Sequence, residues 1–170
     1  MGLEDGIAAG RATAEEINQK RVEAAVKARR DEEVAAAKII AVGKRAAEHL
    51  AAHRVKPQLE VTGGDSFFNR AKAGRKVWVL PYVDGARFAV TEDGGLYTPG
   101  GGGPVYANAA KAQERFARRQ GFVHFAQGLA PIDPSRCHVN AATGGVSLNR
   151  SQPDIEYLVG KAIGLLEAQS

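Results

Sequence analysis

Ala35, Ile39, Val42, Ala46 and Leu50 recur at spacings of four, three, four and four, which places them on one stripe of a helix able to bury against a core. The same run reaches back without a proline to Thr13-Ala-Glu-Glu16, a capping-box pattern in which threonine and glutamate satisfy free amides at a helix start. Alanine dominates the stretch, Gly43 is its one breaker, and Lys56-Pro57 should end it. The pattern predicts one helix, or two nearly collinear ones, from Thr13 to about Val55.

The two halves of this helix differ. In the first, Ile17, Val22 and Val26 point in scattered directions among alanines and charges, including Arg29-Arg30 beside Asp31-Glu32-Glu33. Such a half cannot face a core along its length. Residues 13–34 would form an arm about 30 Å long at 1.5 Å per residue. Residues 1–34 are accordingly expected to project and residues 35–170 to form a compact domain.

Residues 59–98 then read as β structure. VWVLPYV (77–83) and RFAV (87–90) flank Asp84-Gly85, a tight-turn dipeptide, and LYT (96–98) follows a second turn at Glu92-Asp93-Gly94-Gly95. Pro81 cannot donate to a ladder, so its strand should lie at an edge or be bulged there. FVHF (122–125) and VSL (146–148) add one or two short strands. Residues 105–120 predict a middle helix ended by Gly121, with Tyr106, Ala109, Ala110, Phe116 and Ala117 inward.

A last helix is expected from a cap at Ser151, with Ile155, Leu158, Val159, Ala162, Ile163 and Leu166 on its apolar stripe. Gly160 and Gly164 each cost about 1 kcal/mol there relative to alanine, which suggests close approach of the alanine-rich first helix. The fold class expected is α+β. A small antiparallel sheet, a three-stranded meander plus the short strands, is packed by the middle and C-terminal helices, and a long N-terminal helix partly projects.

Composition adds few constraints. The chain has 170 residues, 44% hydrophobic, enough for a core without staples, and its single cysteine, Cys137, excludes an intramolecular disulfide. MGLEDGIAAG does not read as a secretory signal, and no apolar run approaches the length of a membrane span, so a cytoplasmic protein, or a particle formed there, is expected with no membrane partner. The net charge of +4 is uneven: residues 57–121 hold nine Lys or Arg against six Asp or Glu. Lys111, Arg115, Arg118 and Arg119 form a basic stripe on the middle helix, with Arg70, Lys72, Arg75 and Lys76 preceding it. Such a stripe could neutralise phosphates, although few aromatics stand near it for base stacking.

Three motifs invite chemistry. YTPGGGGPVY (97–106) places Gly101, Gly102 and Gly103 between a strand and a helix, the layout of an anion cradle. It lacks the Gly-Lys-Ser/Thr of a Walker loop, and no glycine follows Gly103 before Gly121 as a dinucleotide loop needs, so a flexible joint is the reading favoured over a phosphate site. His49 and His53 stand four apart on a helix, a spacing that can present two imidazoles to one metal. The glutamate precedes His49 instead of following it, and His124, Cys137 and His138 offer a third ligand at no diagnostic spacing, so a surface pair without metal is expected. Cys137-His138 suggests a nucleophile, but adjacent side chains rarely face each other; Asp133 reads as a turn residue.

The function these readings favour is non-enzymatic: an assembly subunit of a larger complex or particle, such as a virion, which uses Ile17, Val22, Val26, Arg29 and Arg30 to engage a protein partner or another copy. A basic nucleic-acid-binding module, and an enzyme holding a phosphate ligand at the glycine loop, are the alternatives. No cofactor is expected.

Overall fold

The computed structural model describes residues 2–64, 69–100 and 107–169. The first helix, α1, runs unbroken from Leu3 to Ala52, beginning ten residues before the expected capping box. Asp5 Oδ2 accepts from the Gly2 amide at 2.9 Å and holds that start, while the Thr13 hydroxyl donates back to the Ala9 carbonyl inside the helix. The helix stops where Arg54 takes a left-handed φ of 55° and the Val55 amide returns to the Leu50 carbonyl at 3.0 Å. That stop precedes Pro57.

Eight strands follow: β1 (Gln58–Thr62), β2 (Lys72–Val79), β3 (Ala89–Thr91), β4 (Leu96–Pro99), β5 (His124–Phe125), β6 (Leu129–Pro131), β7 (His138–Val139) and β8 (Val146–Ser147). Six form one sheet in the order β5-β1-β2-β3-β4-β6, and β7 pairs with β8 apart from it. The β1–β5 pairing is parallel and the rest antiparallel, so the sheet is larger than the small antiparallel one expected, and mixed. The difference has a local cause. Lys72 to Lys76, inside the span 59–98 that reads as β structure, lies outside the expected meander because it shows no apolar alternation, yet it pairs along β1; β6 is three residues ending in proline and carries no strand signal.

The predicted turn at Asp84-Gly85 forms, with φ of 46° and 82° and mutual hydrogen bonds of 2.9 Å between Val83 and Ala86. The β2–β3 ladder pairs Val79 with Ala89, and Leu80 donates to Phe88, but Val83 pairs with Ala86, one residue out of register. Pro81 sits in that extra-residue bulge, which is how a central strand tolerates it.

Helix α2 (Ala107–Arg119) packs on β1 and β5, burying Ala117 beside Leu59 and Val61. Gly121, at φ 79°, ends it as expected, with Phe122 donating back to Ala117. Helix α3 (Ile155–Glu167) is capped by Asp154, not Ser151. One Asp154 oxygen accepts from Glu156 N and the other from Val146 N in β8, while the Ser151 hydroxyl donates to Asn149.

The main core lies between α1, α3 and one face of the sheet. Ala35, Ile39, Val42, Ala46 and Leu50 meet Trp78, Leu80, Phe88, Val90 and Leu96 together with Ile155, Leu158, Val159 and Ala162. On the opposite face Phe125 from edge strand β5 and Leu129 from the other edge strand β6 pack with the central Val77 and Ala89. That contact requires the sheet to curl. Trp78 Nε1 donates to the Val55 carbonyl at 2.8 Å and ties β2 to the end of α1.

Candidate functional site

The burial of α1 changes at one residue. Its buried positions are Ala35, Ile39, Val42, Gly43, Ala46, Ala47 and Leu50, and none precedes Ala35. Residues 3–34 therefore extend as about 48 Å of helix at 1.5 Å per residue. Three ion pairs four residues apart, Lys20–Glu16, Lys27–Asp31 and Arg29–Glu33, brace it, each worth about 0.2–0.5 kcal/mol. Ile17, Val22 and Val26 are 48%, 59% and 64% exposed. The structure adds three apolar residues that the sequence reading left out, Leu3 at 82%, Ile7 at 47% and Val34 at 37%. Arg29 is engaged by Glu33, and Arg30 is exposed.

The basic residues of α2 divide. Lys111, Arg115, Arg118 and Arg119 are exposed opposite the buried Ala109, Gln113 and Ala117, the arrangement that the sequence pattern implies. Arg118 is paired with Glu114 at 2.8 Å. Of the neighbouring cations, Arg75 is bound to Glu60 at 2.8 Å and lies over Tyr97, and Lys76 pairs with Glu92 at 3.2 Å. The Arg75 guanidinium pulls the Glu60 carboxyl below the usual carboxylate range. These two arginine and lysine side chains hold the sheet together and do not extend the stripe. Gly101, Gly102 and Gly103 lie outside the described residues.

At the far end of α1 the histidine pair finds a third group. His49 and His53 stack with ring centres 4.0 Å apart, and Glu167, the last residue of α3, brings Oε1 to 2.8 Å from His49 Nε2. His53 Nδ1 stands 2.9 Å from the His49 carbonyl, which can only accept, so that nitrogen carries a proton. The sequence pointed to the pair but not to Glu167. Its neighbour Leu166 belongs to the apolar stripe, yet only the parallel seating of α3 on α1, which pairs Lys38 with Glu156 and His49 with Glu167, brings position 167 to the histidines.

That seating is laced by charge. Lys38 and Arg45 of α1 both engage Glu156 of α3, Arg45 at 2.6 Å, and together they lower the Glu156 carboxyl, Lys38 most. Between the two helices runs a groove of about 310 Å³ lined by Val42, Ala46, Val159, Gly160, Ile163 and Gly164. Gly160 and Gly164 were expected to be crowded. No atom lies within 4 Å of where a Cβ on either would stand, because both turn toward the open groove.

Cys137 and His138 form no reactive pair. Burial, then the Asp133 charge, pushes the thiol up, and its Sγ donates to the Asp133 carbonyl at 3.5 Å. A thiol held protonated is a poor nucleophile. Asp133 caps the 3-10 turn Pro134–Arg136, accepting from the Ser135 amide at 3.0 Å and its hydroxyl at 2.7 Å. Among the described residues, no helix is long and apolar enough to cross a membrane. Comparison of the chain with protein-family models, curated proteins and solved structures finds no match.

Proposed function

We propose that this chain is a non-enzymatic assembly subunit whose N-terminal helix engages neighbouring copies within a larger complex or particle. The observation that carries the reading is the length of α1 without a buried residue: 32 residues ahead of Ala35, with Leu3, Ile7, Ile17, Val22 and Val26 exposed. Covering one such aliphatic side chain fully is worth about 1.5–3 kcal/mol, more than all three local ion pairs supply. An uncovered helix of this kind gains little from propensity alone, and a neighbour provides the missing contact.

Charge favours a copy of the same chain as that neighbour. Residues 1–34 hold six Lys or Arg against eight Asp or Glu, and residues 35–170 hold seventeen against eleven. The arm is net −2 and the remainder net +6, so the arm of one molecule is attracted to the body of the next. Sedimentation of the full chain across concentration and salt tests the reading, since such an assembly weakens as salt screens the attraction.

A second reading rests on Lys111, Arg115 and Arg119, exposed cations for which the described residues supply no ion pair. Filter binding of duplex and single-stranded oligonucleotides at low salt tests it. Binding that falls steeply with salt and is lost when the three become glutamine supports a nucleic-acid face. Absence of binding removes it.

A further inference from the structure

We infer that His49, His53 and Glu167 form a binding site for a divalent transition-metal ion of the zinc class, which pins the end of α3 to the last turn of α1. One potential donor atom from each of the three lies within 4.8 Å of the other two. Ligand atoms on a tetrahedral zinc stand about 3.4 Å apart, given bonds of about 2.0–2.1 Å, so small side-chain rotations close the set. Two imidazoles and a carboxylate are the donor types that zinc and its neighbours prefer over magnesium or calcium, which take oxygen alone.

The hydrogen bonds already present suit the ion. His53 Nδ1 stands 3.9 Å from Glu167 Oε1 and donates to the His49 carbonyl, so His53 joins the set by a ring rotation that presents its unprotonated Nε2, or by releasing the carbonyl and giving up the Nδ1 proton in favour of the ion. His49 Nε2 donates to Glu167 Oε1 at 2.8 Å; an ion takes that proton's place once the imidazole carries its proton on Nδ1. The site also stands at two helix C-termini, with His53 capping α1 and Glu167 ending α3, where the carbonyl ends of both helices favour positive charge. Arg45 lines the groove on one side, where it shares Glu156 with Lys38, and Arg54 and Lys56 line the cleft on the other. Three protein ligands leave a fourth position to water.

Zinc titrated into the full chain, freed of metal by a chelator, tests the site by calorimetry and by thermal melting. One ion per chain should bind at micromolar zinc and raise the melting temperature, with magnesium without effect. Cobalt in its place should develop the visible absorption of a tetrahedral site. His53→Gln and Glu167→Gln should each weaken zinc binding at least about tenfold, while His138→Gln, outside the cluster, should not. Melts in chelator establish that each variant folds. No saturable binding, binding unmoved by the two variants, or half an ion per chain, which would place the ion between copies, overturns the site.

Discussion

The Gly94 carbonyl oxygen occupies the space into which a side chain on Gly43 would grow: a Cβ built on Gly43 would stand 2.3 Å from it. The β3–β4 turn lies directly on the α1 backbone there, and a Cβ on Gly94 would in turn meet Lys44 Cα at 2.9 Å. Gly43 is therefore not a weak point in the helix but the place where the sheet touches it. Alanine at 43 gains about 1 kcal/mol of helix propensity and incurs about 1–3 kcal/mol of overpacking against backbone that cannot rotate away. Gly43→Ala should lower stability by up to about 2 kcal/mol, read as a fall in melting temperature of about 2–4 °C per kcal/mol.

Gly160 and Gly164 should behave in the opposite way. Neither meets an atom within 4 Å of a would-be Cβ, so alanine at each gains propensity without a clash. Gly160→Ala and Gly164→Ala should each raise stability by up to about 1 kcal/mol in thermal melts. A loss at either would mean that the α1–α3 groove closes on something in solution.

Acid should destabilise the fold in two stages. Burial lowers the His124 pKa, with Glu114 opposing, so the unfolded chain binds that proton first and stability begins to fall as pH drops below about 6.5. The carboxyls of Glu60, Asp93 and Glu156 are lowered by Arg75, the Thr91 hydroxyl and Lys38 respectively. Their contribution is complete above the ordinary carboxylate range of about 4 and is lost as pH falls through the depressed folded values. Melting temperature scanned from neutral to acid pH should show a shallow decline and then a steep one. His124→Gln should remove part of the first limb and Glu60→Gln part of the second.

What the sequence made legible follows from how local each signal is. The stripe from Ala35 to Leu50, the Asp84-Gly85 turn, the Gly121 stop and the Pro81 bulge are set by neighbours within a few residues, and all four appear in the structure. The start of α1 was misplaced because Thr13-Ala-Glu-Glu16 satisfies a capping pattern that an uninterrupted helix leaves unused. The parallel β1–β5 pair and the meeting of Glu167 with His49 join residues 65 and 118 positions apart, and no periodicity encodes such pairings. Gly43 and Gly160 look alike as helical glycines, and only the packing shows that one is crowded and the other open.

Sedimentation velocity of the full chain beside Ile17→Gln/Val22→Gln/Val26→Gln tests the assembly reading most directly. Glutamine keeps helix propensity and charge while removing three exposed aliphatic groups from the arm. The full chain should sediment as a concentration-dependent oligomer that dissociates as salt rises, and the variant as a monomer with an unchanged melt, because none of the three residues touches the core. A full chain that stays monomeric at every concentration and salt, or a variant that keeps the oligomer, would contradict it.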